Sequence, residues 1–233
     1  MEEIFIAGLQ KNSFIDYPGK IASVVFLGGC NMRCYFCHNF DILSQKSNVQ
    51  SFDEVLDELR EQVGFVDAVV ISGGEPTLHP HLRTIIEKIR ELGFLVKLDT
   101  NGGNPLMLRE FVESGMVDYV AIDVKCAFSN ERVVRGIETL GAKILQSINY
   151  LKTQTHVDYM FRTTLAPALD IDDMRAIADM VAGAKTYQLQ QFVPNENSES
   201  SCFAGLRPFT REQVEEFAKL FKGRVDQVLI AGF

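Results

Sequence analysis

The chain has 233 residues, is 46% hydrophobic and carries a formal net charge of −8. This length and composition predict one domain over residues 1–233, with a hydrophobic core of its own. The acidic balance argues against the clustered Lys and Arg of a nucleic-acid-binding surface. No N-terminal run is typical of a signal peptide, and no apolar stretch reaches the roughly 20 residues that cross a bilayer, so we expect no membrane association.

Short β-branched or apolar runs predict strands along the chain. They lie at 21–28, 67–72, 94–100, 117–124, 157–165 and 186–193, with a last apolar run at 224–231.

Amphipathic stretches between these runs predict helices. Ser51 and Glu54 form a capping-box signature ahead of the first helix. Three later helices are predicted to end at glycines, namely Gly93, Gly115 and Gly183. The segment 131–153 is predicted to be one helix, interrupted near Gly141, and 210–222 is the last helix.

The regular alternation of strand and helix predicts an α/β fold with parallel strands joined by crossover helices. Polar or glycine-containing clusters follow strand after strand, at GGCNMRC, SGGEP, DTNGG, DVK, RTT and QQF. A barrel collects its chemistry on loops at the C-terminal ends of its strands, but about six units are too few for an eight-fold barrel. The sequence therefore predicts a partial (β/α)6 TIM-type barrel with outer helices.

Three of the five cysteines lie close together, as Cys30, Cys34 and Cys37 in the spacing C-x3-C-x2-C. An odd number of cysteines crowded in this way argues against a secreted disulfide framework and favours a reducing cytoplasm. A buried stripe of thiols is one interpretation, but the polar and glycine neighbours of the motif argue against it. Zinc, with His38 as fourth ligand, and an iron–sulfur cluster both remain open.

Two glycine-containing clusters follow strands. In SGGEP (72–76), paired glycines allow close backbone approach to a ligand, and Glu75 has a charge suited to an ammonium group. In DTNG (99–102), Asn101 precedes a glycine. Both clusters are also typical of ordinary turns.

Charged residues mark two further strands. Asp123 and Lys125 are two residues apart, on the same side of a strand end, where an acid and a base are able to clamp a zwitterion. A surface ion pair is the alternative. Arg162 lies in an otherwise apolar strand, where its charge needs a partner such as a ligand carboxylate.

The cysteine motif with its aromatic Phe36, followed by GGE and a polar strand end, resembles the radical S-adenosylmethionine (SAM) superfamily. CYFCHN, SGGEP, DTNG and DVK resemble its glycyl-radical-enzyme activases. The length and the stretch NSFIDYPGKIASVVFLGGC are most similar to anaerobic ribonucleoside-triphosphate reductase activating proteins. The fold of this superfamily is a partial (β/α)6 barrel, in agreement with the count of strands.

The resemblance implies that Cys30, Cys34 and Cys37 are ligands of a [4Fe-4S] cluster, whose open iron takes the amino and carboxylate groups of SAM. It also implies SAM contacts by Phe36 near the adenine, His38 beside the cofactor, Gly74 and Glu75 at the methionine amino end, Asn101 near the ribose, and Asp123, Lys125 and Arg162 at the charged groups.

Two features around the strand ends complete the comparison. The resemblance implies a monovalent cation near Asp99, Thr100 and Asp123. Pyruvate formate-lyase activases have a histidine after the sixth strand, where this chain reads QLQQFVPN. This departure weakens the case for an adenine contact through Gln191 or Phe192, and for pyruvate formate-lyase as the target.

By resemblance, the reduced cluster cleaves SAM to methionine and a 5′-deoxyadenosyl radical, which removes hydrogen from a glycine of a partner enzyme. No side-chain acid or base is required. The partner implied is anaerobic ribonucleotide reductase, or another glycyl-radical enzyme of the pyruvate formate-lyase type, with a flavodoxin- or ferredoxin-type electron donor. Only Cys126 and Cys202 remain, too few for an auxiliary cluster. A non-catalytic iron–sulfur or zinc protein is the competing class, supported by the cysteine motif alone.

Overall fold

A computed structural model describes residues 4–37, 50–194 and 207–233. The described residues group into two compact units. The first contains residues 4–31, 50–100 and 106–120, and the second contains 32–37, 101–105, 121–194 and 207–233.

The strands of the described residues are, in chain order, β1 (Phe5–Ile6), β2 (Gly8–Ser13), β3 (Ala22–Leu27), β4 (Arg33–Cys34), β5 (Gln50–Ser51), β6 (Ala68–Gly73), β7 (Leu95–Thr100), β8 (Tyr119–Asp123), β9 (Val134–Arg135), β10 (Asp158–Leu165), β11 (Thr186–Gln191) and β12 (Gln227–Ala231). The helices are α1 (Phe52–Glu61), α2 (Leu82–Glu91), α3 (Pro105–Glu113), α4 (Gly141–Lys152), α5 (Ile171–Met180) and α6 (Arg211–Lys219).

The first unit is built on β3, β6 and β7, which pair in parallel. β2 adds an antiparallel edge next to β3, and the short β1 and β5 pair with each other. β3 and β6 are buried along nearly their whole lengths. Parallel strands that are covered on both faces have such continuous apolar runs. α1 and α2 contribute one apolar face each to this core, for example Leu59 and Ile85.

The second unit contains β10, β11 and β12, which also pair in parallel. The residue just beyond β8 is hydrogen-bonded to β10: the Val124 N–H donates to the carbonyl of Arg162 at 2.9 Å. Tyr187 of β11 stacks on Phe221 at a centroid distance of 4.1 Å, and both side chains are fully buried. The charged residues that the sequence singled out thus lie at the C-terminal end of β8 and in the middle of β10.

The predicted strand runs are confirmed, because β3, β6, β7, β8, β10, β11 and β12 lie at the expected places. The capping box is also confirmed, since Ser51 accepts from the Glu54 N–H and the Glu54 carboxylate accepts from the Ser51 N–H. The predicted helix stops adopt positive φ angles of 90°, 65° and 84° at Gly93, Gly115 and Gly183.

The prediction of one interrupted helix over 131–153 is wrong in its first half. Val134–Arg135 forms β9, a single 3₁₀ turn follows, and α4 begins only at Gly141. Gly136 has a left-handed φ of 74°, which breaks helical geometry. β9 is extended because it pairs with β4, a contact between residues about 100 positions apart that local sequence does not encode.

Within the described ranges, every helix falls short of the length and apolarity that a bilayer crossing requires.

Candidate functional site

In the first unit, the end of β6 is joined to the chain that follows β3. The Gly74 N–H donates to the Leu27 carbonyl at 2.9 Å, and the Glu75 N–H donates to the Gly29 carbonyl at 2.8 Å. Gly29 directly precedes the first cysteine of the motif. The GGE turn therefore fixes the backbone from which the cysteine segment begins.

Glu75 is almost fully buried, with 1% of its surface exposed. Its Oε1 accepts hydrogen bonds from the Thr77 N–H at 3.1 Å, the Thr77 hydroxyl at 2.5 Å and the Thr100 hydroxyl at 2.7 Å. The carboxylate thus caps the short turn after β6 and joins that turn to the end of β7.

Lys97 and Asp99 form a buried ion pair on β7. Lys97 is 1% exposed and Asp99 is 6% exposed, and the ammonium of Lys97 donates to Asp99 Oδ1. The ammonium also lies 6.0 Å from the ring centroid of Tyr119. Sequence reasoning missed Lys97, although a lysine two residues before Asp99 in a strand shares its face of the sheet.

In the second unit, the cysteine segment is held by β9. Arg33 and Cys34 pair antiparallel with Arg135 and Val134. The Cys37 N–H donates to the Cys34 carbonyl at 3.1 Å, so the chain turns between these two cysteines. The unexpected strand β9 therefore supports the motif.

Asp123, Lys125 and Arg162 meet where the end of β8 lies beside the middle of β10. Lys125 Nζ lies 3.1 Å from Asp123 Oδ2, and Arg162 Nε donates to Asp123 Oδ1. The Lys125 ammonium lies 5.7 Å from the ring centroid of Phe36, a distance at which a cation is attracted to an aromatic face. The structure thus brings together four of the residues selected from the sequence.

These neighbours keep Asp123 and Lys125 charged. Burial raises the pKa of Asp123, but the charges of Arg162 and Lys125 outweigh it and hold this pKa well below its usual range. Burial lowers the pKa of Lys125, but Asp123 and then Cys34 raise it above its ordinary value. One carboxylate and two cations leave this cluster with one net positive charge, which suits an incoming carboxylate.

A chain of hydrogen bonds supports the strand end that carries this cluster. The Tyr187 hydroxyl donates to Thr163 Oγ1 at 2.6 Å, and the Thr163 hydroxyl donates to the Val124 carbonyl at 2.5 Å. Val124 lies between Asp123 and Lys125 in the chain. The buried side of β10 and β11 thereby fixes the backbone between the acid and the base.

The remaining candidates differ in their surroundings. Asn101 is 4% exposed, and its Oδ1 accepts from the Gly103 N–H at 2.8 Å, which holds the turn after β7. Gln191 donates to the Phe209 carbonyl at 2.6 Å, and Phe192 is buried, so both side chains are engaged in packing. His38 lies outside the described residues.

The three thiols of the motif are half-buried and none of them is in a disulfide. Soft thiolate donors suit iron–sulfur chemistry. Among residues 4–37, 50–194 and 207–233, no three Cys, His, Asp or Glu side chains converge on a single metal ion. The thiolates of a [4Fe-4S] cluster bond to different irons and need not converge in this way. The donor set therefore fits such a cluster.

Cys126 has a different environment from these thiols. It is fully buried, its thiol donates to the Asn130 carbonyl at 3.5 Å, and burial raises its pKa to about 12. This side chain is therefore a neutral thiol that packs in the interior.

Comparison with known proteins identifies the family. The sequence profile of the Radical SAM superfamily matches residues 24–181, more than half of the chain. The chain belongs to the radical SAM superfamily. It is 36% identical to a Methanocaldococcus jannaschii protein named as a glycyl-radical enzyme activating enzyme, over 97% of this chain and 95% of that protein. It is 27% identical to the pyruvate formate-lyase-activating enzyme of Staphylococcus aureus, over 77% of this chain and 76% of that enzyme.

The fold comparison agrees with this radical SAM assignment. SuiB of Streptococcus suis, in its crystal structure bound to S-adenosylmethionine, superposes with a TM-score of 0.64 at 13% identity, over 89% of this chain and 51% of that one. The predicted α/β partial-barrel class is confirmed. The recognition of a radical SAM enzyme of the glycyl-radical-enzyme activase branch is also confirmed, and the cofactors of this superfamily are a [4Fe-4S] cluster and SAM.

Proposed function

We propose that this enzyme holds a [4Fe-4S] cluster through Cys30, Cys34 and Cys37, binds SAM beside it, and generates a glycyl radical on a partner enzyme. The observation that carries the proposal is the contact of Lys125 with Phe36. It joins the cysteine segment to the charged residues at the end of β8 and in the middle of β10. A ligand that bonds iron through its amino and carboxylate groups needs charged protein groups beside the cysteine segment.

The net positive charge of the group Asp123, Lys125 and Arg162 supports the binding of SAM, which has a carboxylate and two positive centres. Lys125 and Arg162 are assigned to the carboxylate, and Asp123 to the ammonium. Charge-assisted hydrogen bonds of this kind are roughly twice as strong as neutral ones. The half-buried positions of these side chains leave them accessible while reducing their screening by water.

The other contacts are assigned by resemblance. Phe36 is proposed to lie near the adenine, Gly74 and Glu75 at the methionine amino end, and Asn101 near the ribose. Glu75 and Asn101 are buried, and each accepts a hydrogen bond from its own turn. This supports a role for each residue in holding its turn in a fixed conformation for contact with the cofactor. By the same resemblance, His38 is proposed to lie beside the cofactor.

When bound and reduced, the cluster supplies the electron that cleaves SAM to methionine and a 5′-deoxyadenosyl radical, which takes a hydrogen atom from a glycine Cα. The side chains of the protein bind and orient SAM and exclude water, and none of them needs to transfer a proton. The fixed Asp123–Lys125 pair orients the methionine end, so that the sulfonium is held in one position relative to the cysteine segment.

The partner that we favour is anaerobic ribonucleotide reductase. The resemblance of residues 12–39 supports this choice, as does the lack of cysteines for an auxiliary cluster. The packing of Gln191 and Phe192 fits the departure from pyruvate formate-lyase activases in this segment. A partner of the pyruvate formate-lyase type is the second candidate, because the Staphylococcus aureus relative carries that name.

The proposal includes a small electron carrier and a compartment. A flavodoxin- or ferredoxin-type protein is the donor class that supplies one electron at a time to a cluster. Cysteines that bind an iron–sulfur cluster require a reducing environment, for which we propose the cytoplasm.

Anaerobic purification and reconstitution test the proposed function. We expect iron and sulfide in equal amounts without zinc, and cleavage of SAM to 5′-deoxyadenosine and methionine after reduction by a strong one-electron donor. Zinc without sulfide would support the non-catalytic class instead. A bound cluster without cleavage of SAM would support an electron carrier.

A further inference from the structure

The resemblance implies a monovalent cation near Asp99, Thr100 and Asp123, but β7 already has a cation beside Asp99. Lys97 and Asp99 are two residues apart, so their side chains share one face of the strand. The ammonium of Lys97 donates directly to Asp99 Oδ1, and both residues are buried. The positive charge that Asp99 needs is therefore supplied by the chain itself.

The surroundings of Lys97 stabilise a charged ammonium at this position. Its Nζ lies 6.0 Å from the ring centroid of Tyr119, and Tyr119 packs against Tyr17 at a centroid distance of 5.5 Å. The negative face of an aromatic ring attracts a cation, and a buried charge requires such partners. Lys97 is thus held beside Asp99 by an acid and by an aromatic ring.

Thr100, the second residue on β7 that the resemblance places near the cation, also has a hydrogen-bond partner in the protein. Its hydroxyl donates to Glu75 Oε1 at 2.7 Å, which orients the threonine toward the GGE turn. A free sodium or potassium ion next to the Lys97 ammonium would meet a like charge in a buried place. The residues of β7 therefore do not fit a bound monovalent cation.

We propose that the Lys97 ammonium takes the place of the monovalent cation, so that this enzyme does not depend on sodium or potassium. Lys97 is a positioning residue, which acts by fixing Asp99 at the end of β7. A cation that is covalently part of the strand cannot dissociate, and the end of β7 keeps its geometry at any salt composition.

Thermal unfolding of the reconstituted holoprotein tests this inference. Melting is measured anaerobically in potassium chloride, sodium chloride and tetramethylammonium chloride at equal ionic strength. We expect the wild-type melting temperature to be the same in all three salts. In Lys97→Met, Asp99 loses its counter-charge, so a small cation is expected to bind. The melting temperature of Lys97→Met is then expected to be roughly 5–10 °C higher in potassium or sodium chloride than in tetramethylammonium chloride, at an ion concentration about 100-fold above the Kd.

Two further variants complete the design. Lys97→Met/Asp99→Asn removes both charges and is expected to melt at the same temperature in every salt. Lys11→Met removes an exposed lysine that pairs with Glu58, and is expected to behave like the wild type. SAM cleavage is measured in parallel, and Lys97→Met is expected to need potassium or sodium for full activity.

Three outcomes would overturn the inference. One is a saturable stabilisation of the wild type by sodium or potassium that Asp99→Asn abolishes. A second is a folded Lys97→Met protein that responds to neither ion. The third is a Lys97→Met protein that stays unfolded in all three salts. Since the melting readout needs neither SAM nor a partner, these outcomes are distinguishable from a failure of the proposed function.

Discussion

A Cβ atom placed on Gly73 would lie 2.4 Å from the carbonyl oxygen of Leu27, closer than any side chain permits. Gly73 also has a φ of 113°, which residues with a side chain rarely adopt. The end of β6 therefore lies against the end of β3 at a separation that only glycine allows. The hydrogen bonds of Gly74 and Glu75 to the chain after β3 depend on this close approach.

Gly73→Ala is expected to destabilise the protein and to lower the iron content of the reconstituted enzyme. Positive φ costs about 1–2 kcal/mol and overpacking about 1–3 kcal/mol, so the loss should be about 2–5 kcal/mol. Gly93→Ala is the matched control, because Gly93 has a φ of 90° but nothing within 4 Å of its Cβ position. Denaturant unfolding and iron analysis of both variants measure the difference. Equal losses in the two variants would contradict the role of close approach.

Lys125→Ala is expected to weaken SAM binding while cluster assembly stays intact, because this residue is assigned to the ligand carboxylate and not to iron. A charge-assisted hydrogen bond is worth about 1.5–3 kcal/mol, so the affinity should fall on the order of ten- to a hundredfold. Titration of SAM, followed by the visible spectrum of the cluster, measures the change.

Lys88→Ala is the control for this titration, because it removes an exposed lysine that pairs with Glu91 on α2. Its titration curve should match that of the wild type. If Lys125→Ala gives the same curve as well, Lys125 and Asp123 form only a structural ion pair.

Tyr187→Phe tests the hydrogen-bond chain beneath the charged cluster. Tyr187 is fully buried and its hydroxyl donates to Thr163. Loss of one hydrogen bond costs about 0.5–1.5 kcal/mol, with a shift of about 2–4 °C in melting temperature per kcal/mol for a chain of this size. Melting temperature should fall accordingly, with unchanged iron content. A melting temperature equal to that of the wild type would show that the bond is not needed for stability.

The strands of this fold are predictable because their sequence signal is local. In the run 67–72, residues 68–71 are all apolar and buried, and a parallel strand covered on both faces requires such a segment. The capping box at Ser51 is equally local, since its two partners are three residues apart. The cysteine motif, with its fixed spacing, likewise identified the family from a few positions.

The contacts that complete the site are not local. β9 is extended only because it pairs with the cysteine segment, and the sequence around Val134 reads as helical. The apolar pattern of β7 concealed Lys97, whose burial depends on Asp99 and Tyr119. The charge of Arg162 in an apolar strand indicates a partner, but that partner, Asp123, is evident only in the folded chain.

Cys34→Ala is expected to abolish both the visible absorbance of the cluster and SAM cleavage. Only two cysteine ligands then remain, so a second iron lacks a protein ligand in addition to the open one, and the cluster is no longer held. Cys126→Ala is the control, because Cys126 is buried and has a raised pKa, so it should retain the absorbance and the cleavage. A Cys34→Ala enzyme with full cleavage activity would show that the cluster assignment is wrong.

The last prediction concerns the substrate, a glycine on a large partner enzyme. Reduced enzyme and SAM, mixed with a co-occurring anaerobic ribonucleotide reductase, should give a glycyl radical signal by electron paramagnetic resonance. The 5′-deoxyadenosyl radical gains the hydrogen atom that the glycine Cα loses. With Cα-deuterated glycine in the partner, deuterium should therefore appear in 5′-deoxyadenosine. A pyruvate formate-lyase-type partner is the parallel arm, and a signal there alone would reassign the target. Absence of radical and deuterium transfer in both arms, from a preparation that cleaves SAM well, would contradict both proposed partners.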